Sequence, residues 1–248
     1  MNRYNVALQS AGSGHRVRNI GIPPHLRSSA LLVCGCMAAL LCLPQLAMAE
    51  VTSGPLAEYV AKDDASYGWV KLREGKFGST SFTELILTSQ TWRDIVWKHQ
   101  LYILRPSKLS DGPQQGVLVI SGGGWRDAYE HPEGPLKMPK EAALFAMIAD
   151  TFQSPVVVLK QVPQQPLFGG KVEDAIIAMT FENFVKTGDV EWPLLLPMVK
   201  SAVRAMDAAQ EICRSEWDVD VPAFTVTGAS KRGWTTWLTG AADKRATA

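Results

Sequence analysis

Histidine is scarce in this sequence. The 248-residue chain holds four, His15, His25, His99 and His131, and none after residue 131. Chemistry that draws an imidazole from the C-terminal third is therefore excluded from these residues. Cysteine is equally sparse. Cys34, Cys36 and Cys42 sit in one N-terminal apolar stretch, and Cys213 stands alone further on. Without that stretch no internal disulfide can form, even in an oxidising compartment. No His-rich or Cys-rich spacing suggests a metal site, and no motif suggests a cofactor, so none is expected. Charge of one sign is lacking too. The net charge is +1, with no run of like charges, which argues against nucleic acid as a partner. No apolar run reaches the roughly 20 residues that span a bilayer, and no internal repeat or low-complexity tract stands out.

What is present at the N-terminus reads as an export signal. Arg3, Arg16, Arg18 and Arg27 are basic and residues 1–27 contain no acid. An apolar run from Ala30 to Leu43 ends at Pro44. Ala47-Met48-Ala49 then gives the small-x-small pattern of a signal-peptidase site, just before Glu50. The reading is a signal peptide over 1–49 and a partial folded domain over 50–248, in a periplasmic or secreted protein with no stable membrane span after processing. An uncleaved anchor is the alternative. A lipoprotein signal is a weaker one, since Val33-Cys34-Gly35-Cys36 comes early in the apolar run. Cys213, on an apolar helical face, reads as a buried inert thiol.

Residues 50–78 read as an exposed lead-in. Phe82 to Thr88 is β-rich, Gln90 and Thr91 suggest a turn, and Ile95, Trp97, His99, Leu101 and Ile103 alternate onto one face up to Arg105-Pro106. That is an antiparallel hairpin. The pattern then changes. Val117–Ile120, Val156–Leu159 and Phe224–Thr227 are short continuous apolar runs of the kind found in strands buried on both faces of a parallel sheet. Helical patterns lie between them. The first opens near Pro139, with Ala143, Phe145, Ala146, Ile148 and Ala149 following. The second covers Val172 to Phe184, with Ala175, Ile176, Met179 and Phe184 inward. The third begins at Pro197 and carries Val199, Ala202, Val203, Met206, Ala209 and Cys213 on one stripe. The fold class expected is α/β, of the α/β-hydrolase type: a mostly parallel sheet with an antiparallel N-terminal hairpin, ending after the helix that follows the last strand.

Two turns at strand ends carry chemistry. Thr227-Gly228-Ala229-Ser230-Lys231-Arg232-Gly233 follows one buried strand and opens a helix with Trp234, Trp237 and Leu238 on one face. Strand, tight turn and helix with a serine at the apex form a nucleophile elbow, whose strain and close approach demand small neighbours. The usual second glycine falls where Arg232 stands, and Gly233 comes one residue later. A serine that only caps the helix is the plainer reading. Ser121-Gly122-Gly123-Gly124-Trp125 follows an earlier strand. There Gly123 and Gly124 N–H groups, with the N–H of Lys231, would make an oxyanion hole. A phosphate-binding turn is the alternative, but the spacing fits neither the P-loop nor the dinucleotide fingerprint. A triad also needs a base and an acid. After Ser230 comes only Asp243. His131, His99 and Lys231 are weak candidates for the base, Glu173-Asp174 reads as solvated surface, and Gln161–Phe168 reads as a stiff rim loop with Phe168 free to line a pocket.

Taken together, the strand with Gly122-Gly123-Gly124-Trp125, Val162-Pro163 with Pro166-Leu167, Glu173-Asp174-Ala175, Thr187-Gly188-Asp189 with Trp192-Pro193, and Gly228-Ala229-Ser230-Lys231-Arg232-Gly233-Trp234 resemble the PhoPQ-activated pathogenicity-related protein family. The resemblance runs from about residue 55 to the end. It implies an exported α/β-hydrolase-like protein longer than this chain, with the family's Asp and His downstream. The function expected is a serine hydrolase acting through Ser230 on an ester or peptide substrate, inactive as this fragment. A non-catalytic exported interaction or signalling protein on the same scaffold is the second expectation. A third is a gene fragment whose elbow strand is left as an exposed sheet edge.

Overall fold

The computed structural model describes residues 54–134 and 141–248. The expected signal peptide and the helix start at Pro139 lie outside them. The stretch read as a lead-in is structured: helix α1 spans Pro55–Ala61 and strand β1 spans Gly68–Phe77. β1 escapes a periodicity search because it is an edge strand rich in charge, with Val70 well exposed.

β2 (Thr80–Trp92) and β3 (Ile95–Arg105) form the expected hairpin, but it turns at Arg93-Asp94, not at Gln90-Thr91. Both turn residues have positive φ, 52° and 60°, the arrangement that matches the twist of two paired strands. Arginine is a poor choice for that backbone, and tertiary contacts impose it. The Arg93 guanidinium donates to the Asp189 carboxylate at 2.6 Å and lies 4.1 Å over the Trp192 ring. Gln90 is instead buried in the strand. Its side chain accepts from the Tyr59 hydroxyl at 2.8 Å and donates to the Pro197 carbonyl at 2.8 Å.

β4 (Gln115–Ile120), β5 (Val156–Leu159) and β6 (Ala223–Gly228) are the three buried runs seen in the sequence. The sheet order is β1-β2-β3-β5-β4-β6. β4 pairs in parallel with β5 and with β6, while β3 meets β5 antiparallel. The sheet is therefore mixed, with an antiparallel portion larger by one strand than the hairpin expected. Helix α2 (Ala142–Phe152) covers one face, over Phe82, Tyr102, Leu104, Val156 and Val158. Helices α3 (Asp174–Thr187), α4 (Leu195–Trp217) and α5 (Lys231–Ala242) cover the other, over Leu85, Leu101, Leu118, Val157 and Phe224. Of the residues expected inward on α3, Ile176 is fully buried but Ala175 is exposed, and Thr180 takes a buried place because its hydroxyl donates to the Ile177 carbonyl at 2.9 Å. α4 starts two residues before Pro197. A proline in the first helical turn is tolerated there because its missing N–H has no intrahelical partner to lose. Cys213 is buried on α4, and desolvation pushes its thiol up to about 12, an inert group as expected.

Two features position the site. The chain steps from β4 outward to β5 and then returns to the far side of β4 with β6. The carboxyl ends of β4 and β6 thus flank the point where strand order reverses, where α/β sheets hold their ligands. In addition, β5 pairs only with Leu101–Leu104 of β3, so Ile95–Gln100 projects about 20 Å past the end of β5 and walls one side of that rim. The free edge of β6 is not left bare. Phe224 N–H donates to the Arg245 carbonyl at 2.7 Å, Thr247 N–H to the Phe224 carbonyl at 3.0 Å, and Val226 N–H to the Ala248 carbonyl at 2.6 Å. This parallel pairing corrects the expected exposed edge. Among the described residues no helix is long and apolar enough to cross a membrane.

Candidate active site

Ile120 of β4 lies opposite Gly228 of β6, so the chain leaves both strands at the same level of the sheet. Ser121–Trp125 and Ala229–Gly233 are therefore neighbours, as the two motifs require. Ser230 has φ 57° and ψ −123°, a sparsely populated backbone region for a residue with a side chain, at a cost of about 1–3 kcal/mol. It stands at the N-cap of α5 but makes no side-chain cap hydrogen bond, so capping does not explain it. Its side chain is exposed.

The elbow's unusual spacing has a steric account. A Cβ at Gly228 would stand 2.7 Å from the Arg232 carbonyl oxygen and 2.8 Å from the Arg232 Cβ, while one at Gly233 would stand 3.1 Å from the Gly228 oxygen. Gly228 and Gly233 close the turn on each other, and this leaves room for an arginine between them. Gly228→Ala should destabilise the chain by about 2 kcal/mol, since the nearest atoms it meets include the Arg232 carbonyl, which is backbone and cannot swing aside. Thermal melting measures this, and an unchanged Tm would show that the elbow is looser than described.

On the other strand Gly123 has φ 120°, a conformation only glycine adopts with ease. Among the described residues the N–H groups of Gly123, Gly124 and Lys231 take no backbone or side-chain partner. The last of these is one of the donors that every helix start leaves open. Trp125 N–H donates to the Gln165 carbonyl at 2.7 Å, which ties the glycine turn to the loop after β5.

Glu173 is not the solvated surface residue expected. It is half-buried, and its carboxylate accepts from Arg232 at 2.8 Å and from Gln165 at 2.9 Å, with the Lys231 ammonium 3.3 Å away. Burial would raise this carboxyl, but the hydrogen bonds from Arg232 and Gln165 outweigh it and hold it below the usual range. Two adjacent cations after Ser230 were the only hint in the sequence that a counter-charge lies close. Lys231 is fixed by the same pair of acids. Its hydrogen bonds to Asp174 and Glu173 raise its pKa, which removes it as a base. The Gln161–Phe168 loop carries cis bonds at Val162-Pro163 and Gln165-Pro166. Phe168 does not line a pocket at the site. It packs edge-on to Trp92 at 5.7 Å and tilts against Trp192 at 6.1 Å. Trp234 and Trp237, read from the sequence as sharing one face of α5 with Leu238, are exposed. Thr235 and Thr239 are buried in their place, their hydroxyls donating to the carbonyls of Lys231 and Thr235.

None of the sequence candidates for base or acid reaches Ser230. His131 lines a groove with Trp69, Ile86 and Lys98 at the β1–β3 end of the sheet. Three strand spacings, about 14 Å, separate β3 from β6. His99 is wholly buried, its Nδ1 3.1 Å from the carbonyls of Lys160 and Gln161 and its Nε2 3.1 Å from the Ser89 hydroxyl. Asp243 lies beyond the far end of α5, about 18 Å from Ser230, and binds Arg245 at 2.7 Å. His15 and His25 lie outside the described residues. Among the described residues no group of His, Cys, Asp or Glu could hold a metal ion.

A mixed sheet with a glycine turn after β4 and a serine elbow after β6, in this strand order, defines the α/β-hydrolase class. Residues 56–248 match the model of the PhoPQ-activated pathogenicity-related proteins, and the chain belongs to that family. Autocrine proliferation repressor protein A of Dictyostelium discoideum is 33% identical over 221 residues, covering 84% of this chain and 43% of that protein. The chain thus spans less than half the length of this relative. Among solved structures, a candidate acetyl xylan esterase from Bacteroides fragilis NCTC 9343 overlaps 78% of this chain and 49% of its own, with TM-score 0.50 and 12% identity. An acetyl xylan esterase from Paenibacillus sp. R4 overlaps 77% of this chain and 54% of its own, with TM-score 0.42 and 13% identity. At such identity the likeness concerns the fold alone.

Proposed function

We propose that the chain carries the acylation half of a serine esterase or peptidase site in an exported protein. Ser230 Oγ attacks the acyl carbon while its proton passes to a base. The carbonyl oxygen takes the negative charge and is held by the N–H groups of Gly123, Gly124 and Lys231. The leaving alcohol or amine departs with a proton, and water releases the acyl group. The base and its acid come from the longer form that the family's Dictyostelium relative exemplifies. The observation that carries this reading is the backbone of Ser230, φ 57° and ψ −123°, at an exposed elbow beside three unused N–H donors.

A fluorophosphonate probe tests it. At pH 9.5, where hydroxide can take the serine proton, the full chain should bind one label, at Ser230, and Ser230→Ala should bind none. Label that persists in the alanine variant removes Ser230 from the mechanism. The second reading is a non-catalytic interaction protein on this scaffold. It is favoured by the lack of any imidazole within reach of Ser230 among the described residues, and a chain that takes no label would support it. Export is part of the proposal, with Glu50 as the first residue of the mature protein. N-terminal sequencing of the exported form should begin there, whereas a membrane-bound form retaining residues 28–49 would favour the anchor.

A further inference from the structure

Glu173 has a backbone of φ 50° and ψ −123°, almost the same as that of Ser230, and it too opens a helix. A second strained elbow on a non-glycine residue persists only where the surroundings over-determine it. Here they do. The Gln165 side chain closes a reciprocal pair, accepting the Glu173 N–H at 2.9 Å and donating to its Oε1 at 2.9 Å. The other oxygen, Oε2, takes Arg232 Nη1 at 2.8 Å and faces Lys231 Nζ at 3.3 Å.

Each partner leads to one side of the cleft. The carbonyl of Gln165 receives the Trp125 N–H at 2.7 Å and would stand 3.3 Å from any Cβ on Gly124. The Arg232 guanidinium lies across Gly122, its Nη2 2.8 Å from where a Cβ would be. One carboxylate therefore joins the glycine turn to the start of α5, the two segments that carry Gly123, Gly124 and Lys231. Nothing in the nucleophilic step requires such a bridge. Three N–H groups that are to hold one oxygen do require a fixed distance between their carriers.

We propose that Glu173 is a positioning residue of the Ser230 site. It holds the oxyanion turn and the elbow in register through Gln165 on one side and Arg232 on the other. It touches no reacting atom, and the inference rests on Ser230 as the nucleophile. Glu173→Gln keeps the side-chain shape but removes the charge that holds Arg232 and Lys231. A misplacement near 1 Å at a reacting centre costs about 100-fold in rate.

The test follows the alkaline labelling of Ser230 by fluorophosphonate in the full chain, as a function of probe concentration. In Glu173→Gln the limiting rate at saturating probe should fall by about 10- to 100-fold, while the half-saturating concentration stays within about twofold. The melting temperature, read in parallel, reports whether the variant remains folded. Gly122→Ala provides an independent route, since its methyl group must push the guanidinium off Glu173. It should give a similar loss, and combining the two changes should add little more, because both break one connection. A wild-type limiting rate in Glu173→Gln, with Ser230→Ala silent, overturns the positioning role and leaves the nucleophile standing. Fully additive losses overturn it as well, since they would mark two unrelated weaknesses. Label that survives in Ser230→Ala, or no label on the wild-type chain, overturns the nucleophile and this inference with it.

Discussion

At pH 7 the full chain should hydrolyse p-nitrophenyl acetate no faster than its Ser230→Ala variant. A serine hydroxyl is a weak nucleophile at its free pKa and needs a base beside it. The described residues offer none. His131 belongs to the opposite end of the sheet, His99 is sealed in the core, Lys231 is held charged by Asp174 and Glu173, and Asp243 is bound by Arg245 beyond the far end of α5. Loss of the base from a complete triad costs about 10⁶ in kcat. What survives comes from the oxyanion hole and binding alone. The labelling rate of Ser230 should instead rise about tenfold per pH unit in the alkaline range, following hydroxide. Steady Ser230-dependent turnover at pH 7 would sink this account, and loss of that turnover in His131→Ala would then name the base.

Acid should weaken the fold through His99. Burial disfavours its charged form and lowers the pKa from 6.5 to about 4, although the carbonyls of Lys160 and Gln161 act in the other direction. The unfolded chain takes up its proton near pH 6.5 and the folded chain does not until about pH 4. Stability from this group is thus complete above the unfolded pKa and is lost as pH falls from about 6.5 to 4, by about 3 kcal/mol in all. Urea unfolding at a series of pH values measures it. Carboxylates such as Asp64 and Asp150, which are held below their usual range, lose their contribution at lower pH. The difference between the wild-type and His99→Gln curves isolates the histidine. Parallel curves would mean that protonated His99 finds an acceptor in the Ser89 hydroxyl, which lies next to it and is linked in turn to Ser201.

Much of this architecture is legible in the sequence, for one physical reason. Strands buried on both faces leave nearly pure apolar runs, and Val156–Leu159 appears in the structure with the bounds read from the sequence. The glycine turn and the serine elbow follow such runs, so their location came with the strands. Less legible were features set by contacts distant along the chain. β1 carries too much charge to show alternation. The hairpin turn falls on Arg93 because Asp189 and Trp192 hold it there. On α5 two tryptophans outweigh two threonines in any hydropathy pattern, yet the threonines are buried because each hydroxyl finds a carbonyl one turn back. Glu173 was hidden for a related reason. Beside Asp174 it looks like helix surface, and its partners lie eight and 59 residues away.

The bare Cα of Gly122 beneath the Arg232 guanidinium has a consequence for how this protein can change over generations. Residues 122 and 232 do not drift independently. A methyl group at 122 shifts the guanidinium, the end of a flexible side chain, out of its place. An arginine so displaced, or a shorter side chain at 232, gives up Glu173, whose positive φ then favours glycine in its place. Substitutions in divergent members should therefore arrive as a linked set at 122, 173 and 232, with each intermediate less fit than either end. A lineage that has broken one member of the set while keeping the other two would be one in which the elbow serine no longer matters.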